Sequence, residues 1–252
     1  HLPPAQGLAG VKFPTRLTEP FLDWQALLTG AELPNHPPQE TPPLWVTGPA
    51  WRRRLAATVA GGRSNHWLAW LHLGVMAFRD GDFAAAELAW RASVQREPSA
   101  WAYRNLAVLA KQAEKLGEAA DLYLEACRLK SDLLELQIEC GRALLDAGRL
   151  ADLAQWLATV PEHVRQAGRM KLAAAWAAYQ HDELDQAETL LFRVELADLR
   201  EGENTLTDLW FAIQAKRIAA VEGVPLDEAL EERVRRTLTP PPQIDFRMKA
   251  NL

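Results

Sequence analysis

Apolar side chains in residues 1–48 show no sustained helical period, because prolines interrupt them at Pro3, Pro4, Pro14, Pro20, Pro34, Pro37, Pro38, Pro42 and Pro43. Proline lacks the N–H and clashes with the preceding turn, so this stretch is predicted to be an extended arm. One short helix is expected within it, near Phe21–Leu28, where Phe21, Leu22, Trp24 and Leu28 supply apolar side chains. A capping helix follows over residues 49–62. Pro49 suits its first position, Trp51, Leu55 and Val59 recur at helical spacing, and Gly61-Gly62 ends it. From residue 63 to 238 the apolar positions recur in helix-length blocks separated by Gly, Asp and Pro, and the blocks resemble one another. Residues 239–252 open with Pro240-Pro241-Pro242 and are predicted to form an extended tail, with Ile244, Phe246 and Met248 packing back.

The blocks carry a recognisable order. Trp70-x-x-Leu73-Gly74 is followed by Gly81-Asp82-Phe83-x-x-Ala86, Trp90 and Pro98. This resembles the tetratricopeptide consensus in order and spacing. The resemblance implies that Gly74 and Ala86 let two helices approach while Phe83 and Trp90 fill the space around them. The second block has Asn105-Leu106-Ala107, Leu116-x-x-Ala119, Tyr123 and Ala126, and the third Cys140-Gly141, Gly148-x-Leu150, Leu153 and Leu157. The fourth has Ala174-Ala175 and Leu184-x-x-Ala187, and a degenerate fifth covers Leu209–Val221 and Pro225 to about Leu238. Thr205-x-x-Asp208 looks like a capping box for that last pair. The expected fold is therefore all-α, a tetratricopeptide-type solenoid of four to five helix pairs, with the helices around Trp51 and Leu226 covering its ends.

In such arrays the first helix of each pair lines a groove. Aligning the blocks on Leu73, Leu106, Cys140 and Ala174 places Leu68, Leu71, Val75 and Phe78 there, then Trp101, Arg104, Val108 and Lys111. The third and fourth blocks add Glu135, Ile138, Arg142 and Leu145, then Arg169, Leu172, Trp176 and Tyr179. Aromatic residues and arginines are the types that dominate binding energy at interfaces. Co-chaperone tetratricopeptide domains hold a peptide's terminal carboxylate with Lys and Asn from such positions. Asn105 matches one of them, but Leu71 and Val75 stand where that clamp needs Lys and Asn, so a chaperone-tail receptor does not fit. An apolar groove suits an amphipathic helix or a neighbouring domain.

Composition narrows the chemistry. The 252 residues are 48% hydrophobic and 24% charged, with a formal net charge of −5. Nucleic-acid binding needs a basic face, which this balance does not favour. No apolar run reaches the length of a membrane span, and HLPPAQGLAG is not a secretory signal, so the expectation is a cytoplasmic chain. Cys127 and Cys140, with no CxxC, read as inert core thiols. No nucleophile motif, phosphate loop or metal motif is present, so no catalytic residue, metal or cofactor is assigned. His66 and His72 lie on different helix faces and are expected at the surface or at caps. Arg52-Arg53-Arg54 reads as a solvated face. Of the ten tryptophans, Trp70, Trp90, Trp67, Trp156 and Trp210 are assigned to packing. Trp24, Trp45 and Trp51 are expected to clamp the arm onto the helices.

Both flanks are similar to a bacterial group in which a tetratricopeptide array ends a longer chain. The matching runs are Phe21-Leu22-Asp23-Trp24-Gln25, Asn65-His66-Trp67-Leu68-Ala69, Glu201-Gly202-Glu203-Asn204-Thr205-Leu206-Thr207-Asp208-Leu209-Trp210 and Pro241-Pro242-x-Ile244-Asp245-Phe246-Arg247-Met248. That group carries an N-terminal β-sandwich domain related to aldose epimerases and carbohydrate-active enzymes, which this sequence does not contain. The resemblance implies a C-terminal helical module. Two functions stay open: docking of a peptide or protein domain, including an N-terminal domain of the same polypeptide, and direct carbohydrate recognition. Trp101, Trp176 and Tyr179 would then be stacking platforms beside Arg104 and Arg142.

Overall fold

Helices α1 (Glu19–Leu28) and α2 (Pro49–Ala60) flank residues 29–48 of the arm, in a computed structural model that describes residues 19–196 and 205–245. Eleven more follow: α3 (Trp67–Arg79), α4 (Phe83–Arg96), α5 (Ala100–Gln112), α6 (Leu116–Leu129), α7 (Leu134–Asp146), α8 (Leu150–Thr159), α9 (Glu162–Arg165), α10 (Gly168–Gln180), α11 (Leu184–Leu191), α12 (Thr205–Glu222) and α13 (Glu228–Thr237). The described residues contain no strand, so the fold is all-α. None of these helices is long and apolar enough to cross a membrane. The arm before residue 19, Glu201–Asn204 and the tail from Phe246 lie outside the described residues.

A single turn chemistry recurs along the chain. Residues Gly81, Glu114, Gly148 and Asp182, spaced by 33, 34 and 34 positions, all take the left-handed conformation, with φ of 79°, 58°, 65° and 63°. Each ends a helix in the same way. The next residue's N–H closes back five positions, as in Asp82 to Ala77, Lys115 to Ala110, Arg149 to Leu144 and Glu183 to Ala178. The left-handed residue itself bonds three positions back, to Phe78, Lys111, Leu145 and Tyr179. This is the Schellman arrangement, which satisfies the orphan carbonyls of a helix end. Two of the four positions are not glycine, so backbone context rather than residue type carries the repeat there.

The chain divides into two compact units, His1–Leu106 and Ala107–Leu252. In the first, α2 packs on α3 and α3 on α4. Trp24, Leu27 and Leu33 bury themselves with Leu55, Val59, Ala69, Leu73 and Met76. Gly74 sets the spacing of α3 and α4. A Cβ there would stand 2.2 Å from the Trp90 indole nitrogen, which donates to the Leu71 carbonyl at 3.2 Å. The Ser93 hydroxyl closes the same pair on the Trp67 carbonyl at 2.8 Å. Asp82 caps α4 through the Ala85 N–H. Phe83 departs from expectation: it is 49% exposed and touches Phe78 rather than filling an interior space. Nor is the arginine run a purely solvated face. Arg52 pairs with Asp80 and Asp82, and Arg54 donates to the Leu27 and Leu28 carbonyls at the end of α1.

In the second unit α6 packs on α7, α7 on α8 and α10, α10 on α11, α11 on α12 and α12 on α13. Gly141 plays a milder version of the Gly74 role, with Trp156 ring carbons at 3.3 Å and the Ala173 Cβ at 3.5 Å from where its own Cβ would be. Both cysteines are buried, and contact with Cys127 together with burial raises the Cys140 thiol. Arg217 ties α12 to α11 through Asp185 and Glu188. Thr205 opens α12, and Asp208 pairs with Arg235 of α13 at 2.9 Å. The covering of α12 comes from Leu230 and Val234, while Leu226 is exposed before the helix begins. Ile244 packs back as expected, its carbonyl accepting from the Thr207 hydroxyl at 2.6 Å.

Candidate functional site

In the first unit the arm lies on helices α1, α3 and α5. A proline-rich segment has few N–H donors of its own, yet each carbonyl still needs a partner when it leaves water. Indole N–H groups, which donate and cannot accept, supply them. Trp67 Nε1 donates to the His36 carbonyl at 2.8 Å, Trp101 Nε1 to the Glu40 carbonyl at 2.9 Å, and Trp24 Nε1 to the Leu44 carbonyl. Between the first two acceptors the arm makes a turn, closed by the Glu40 N–H on the Pro37 carbonyl at 3.1 Å. Upstream, the Leu33 N–H donates to the buried Ser64 hydroxyl at 2.9 Å. The Leu33 carbonyl lies 2.9 Å from His66 Nε2. Because His66 Nδ1 accepts the Ala69 N–H as the cap of α3, Nε2 carries the proton of the neutral ring. Asp23 and His36 pair at 2.7 Å.

The groove positions expected in this unit have mixed fates. Leu71 is 3% exposed, so it is core rather than surface. Val75 and Arg104 are half-buried. Phe78, also half-buried, packs between Phe83 and Trp90. Trp101 faces the arm. Trp45 clamps nothing by burial, being 55% exposed, whereas Trp24 is 2% exposed and meets Trp51 edge-on. His72, expected at the surface, is buried under Trp24 with ring centroids 4.9 Å apart. Its Nε2 has no hydrogen-bond partner. Burial, and then the neighbouring His66 and His36, push its pKa down to about 3. The i,i+3/i+4 relation to Leu68, Met76 and Ala69 placed it on the apolar face, and that was the available signal.

In the second unit, helices α7 and α10 with the start of α12 enclose an open pocket of about 340 Å³. Ile138, Arg142, Leu145 and Asp146 line it from α7, and Arg169, Leu172, Ala173, Trp176 and Gln180 from α10. Each set is one helical stripe, because residues three and four apart share a face. Asp146 is already engaged by Lys111 at 2.6 Å. Arg142 is exposed and makes no ion pair with a described residue. Tyr179 stands beside this wall, edge-on to Trp176 at 5.6 Å, with the Lys216 ammonium 4.6 Å from its ring centre. Burial raises the Tyr179 pKa, with Glu231 and Asp182 adding to it. Asp146, Gln180 and Thr205 were not foreseen; the first two extend the stripes of Arg142 and Trp176 by one turn, while Thr205 arrives from a distant helix.

No family model matches the chain, and no curated protein matches it significantly. Among the described residues, no group of three or more His, Cys, Asp or Glu side chains is placed to hold a metal ion.

Proposed function

We propose that this chain is a tetratricopeptide-type docking module that holds extended peptide or a protein domain on the first helices of its pairs. One observation carries the reading: Trp101, a groove position by alignment, hydrogen-bonds the backbone of a non-helical, proline-rich segment, through the Glu40 carbonyl. The recurrence of one helix-ending turn at 33–34 residues, and the seating of Trp90 against Gly74, support the repeat assignment. In the second unit the pocket offers Trp176, Ile138 and Leu172 for an apolar side chain, and the Arg142 guanidinium for an acidic one. A bacterial protein with a carbohydrate-active domain is the setting that the flanking runs imply.

The pocket also favours a second reading, direct carbohydrate recognition, because Trp176 with Arg142, Asp146 and Gln180 combines an aromatic wall with hydrogen-bonding groups in a sugar-sized space. Parallel selections on a displayed peptide library and a glycan array separate the two. Docking predicts peptide ligands whose binding falls at least tenfold in Arg142→Glu and Trp176→Ala. Glycan ligands lost in Trp176→Ala, with no peptide selected, would establish the second reading instead.

A further inference from the structure

The arm segment 36–45 is held differently from the rest of its unit. Upstream, Trp24, Leu27 and Leu33 are core residues. Downstream, α2 buries Leu55 and Val59. Between them Gln39, Glu40, Thr41, Leu44 and Trp45 are exposed, Pro42 and Pro43 are half-buried, and Pro38 alone is buried. After Glu40 the segment makes no backbone–backbone hydrogen bond with a described residue of the body. Its carbonyls at positions 36, 40 and 44 are instead taken by the three indoles. Such contacts recognise a proline-rich backbone and almost nothing of the exposed side chains. Indole donors aimed at the carbonyls of proline-rich segments are a known physical solution for binding chains of this type. Without a backbone ladder, this segment opens more readily than the helices it lies on.

We propose that the face formed by Trp24, Trp67 and Trp101 is a receptor for proline-rich peptides, occupied here by the chain's own arm. The partner it fits carries two Pro-Pro pairs, the first of which opens a turn, in the pattern Pro37-Pro38-Gln39-Glu40-Thr41-Pro42-Pro43. It exchanges with the arm, which stays tethered at α1 and α2 and loops out. Because the tethered arm competes at an effective concentration on the order of millimolar, free peptide binds the intact chain weakly. The assignment rests on the docking reading, but it concerns a different face from the pocket of the second unit.

The test uses the full chain and a synthetic peptide of residues 36–45, followed by calorimetry. Replacing residues 36–45 with a Gly/Ser segment of equal length removes the competitor. That variant is expected to bind the peptide at least tenfold more tightly than the natural chain does. In the same background Trp101→Phe costs about fivefold, the worth of one neutral hydrogen bond. A peptide with its four prolines changed to alanine loses binding. Equal affinities for the natural and linker chains, or no effect of Trp101→Phe, overturn the proposal. So does a concentration-dependent dimer that forms in place of the peptide complex, which would make a second copy's arm the occupant. Should the linker chain fail to fold, a spin-labelled peptide at saturation is expected to broaden the Trp67 and Trp101 indole resonances of the natural chain, and unbroadened resonances would refute it. Failure here with library peptides still binding at Arg142 and Trp176 leaves docking standing and removes only the proline-rich partner.

Discussion

The two units present the same kind of helix face in opposite states. In the first, the face built by α1, α3 and α5 is covered by a segment of its own chain, with three indoles spent on that segment's carbonyls. In the second, the stripes of α7 and α10 leave an open pocket whose exposed arginine makes no ion pair with a described residue. The difference lies in what each unit has to cover its apolar stripe. A Pro-rich segment cannot extend the helical array, yet it can lie across it and leave its carbonyls for side-chain donors. The second pocket keeps its charge and its aromatic wall facing water, which costs stability and is a common mark of a surface kept for binding.

The largest test of this contrast is Trp24→Ala. It removes a fully packed side chain that joins arm, α2 and α3, and should cost about 3–5 kcal/mol in urea unfolding. A loss below about 1 kcal/mol would mean that the arm is an ornament rather than part of the core. Next come the two glycines. Gly74→Ala puts a methyl 2.2 Å from the Trp90 indole and should cost about 2–3 kcal/mol. Gly141→Ala meets only ring carbons at 3.3 Å and should cost under about 1 kcal/mol. Equal costs would show that Trp90 shifts freely.

His72 supplies a pH dependence. Above its ordinary pKa of 6.5 it is neutral in both states. Below that value the unfolded chain takes up a proton that the buried ring refuses until about pH 3, so stability falls as pH drops. Between pH 8 and pH 5 the loss should be about 2 kcal/mol, and His72→Leu should flatten the profile by that amount. An NMR titration showing the ring protonating near its ordinary value in the folded chain would contradict the burial. The smallest effect belongs to Arg142→Ala, where an exposed guanidinium without an ion-pair partner should change stability by less than about 0.5 kcal/mol. A larger loss would make Arg142 a structural residue and weaken its use for binding.

Much of the helical framework was legible beforehand. The Phe21–Leu28 helix appears as α1, Pro49 opens α2, and the paired blocks appear as α3 to α8, α10 and α11. Gly81 and Gly148 marked two of the four left-handed turns, whereas Glu114 and Asp182 gave no signal because their conformation is imposed by the surrounding helix ends. Of the groove residues, Ile138, Arg142 and Trp176 line one pocket, while Leu71 went to the core and Phe78 to its helix pair.

What the amino-acid order determined by itself was local: where helices start and stop, which face of each is apolar, and that the prolines keep one segment out of helix. Those properties depend on backbone preference and on neighbours within a turn or so. Only the tertiary structure decided that Trp101 meets Glu40, 61 positions away, that His72 lies sealed beneath Trp24, and that Thr205 closes a pocket built by α7 and α10. Those outcomes follow from which surfaces remain to be covered once the helices have paired, a competition among distant segments that no local pattern encodes.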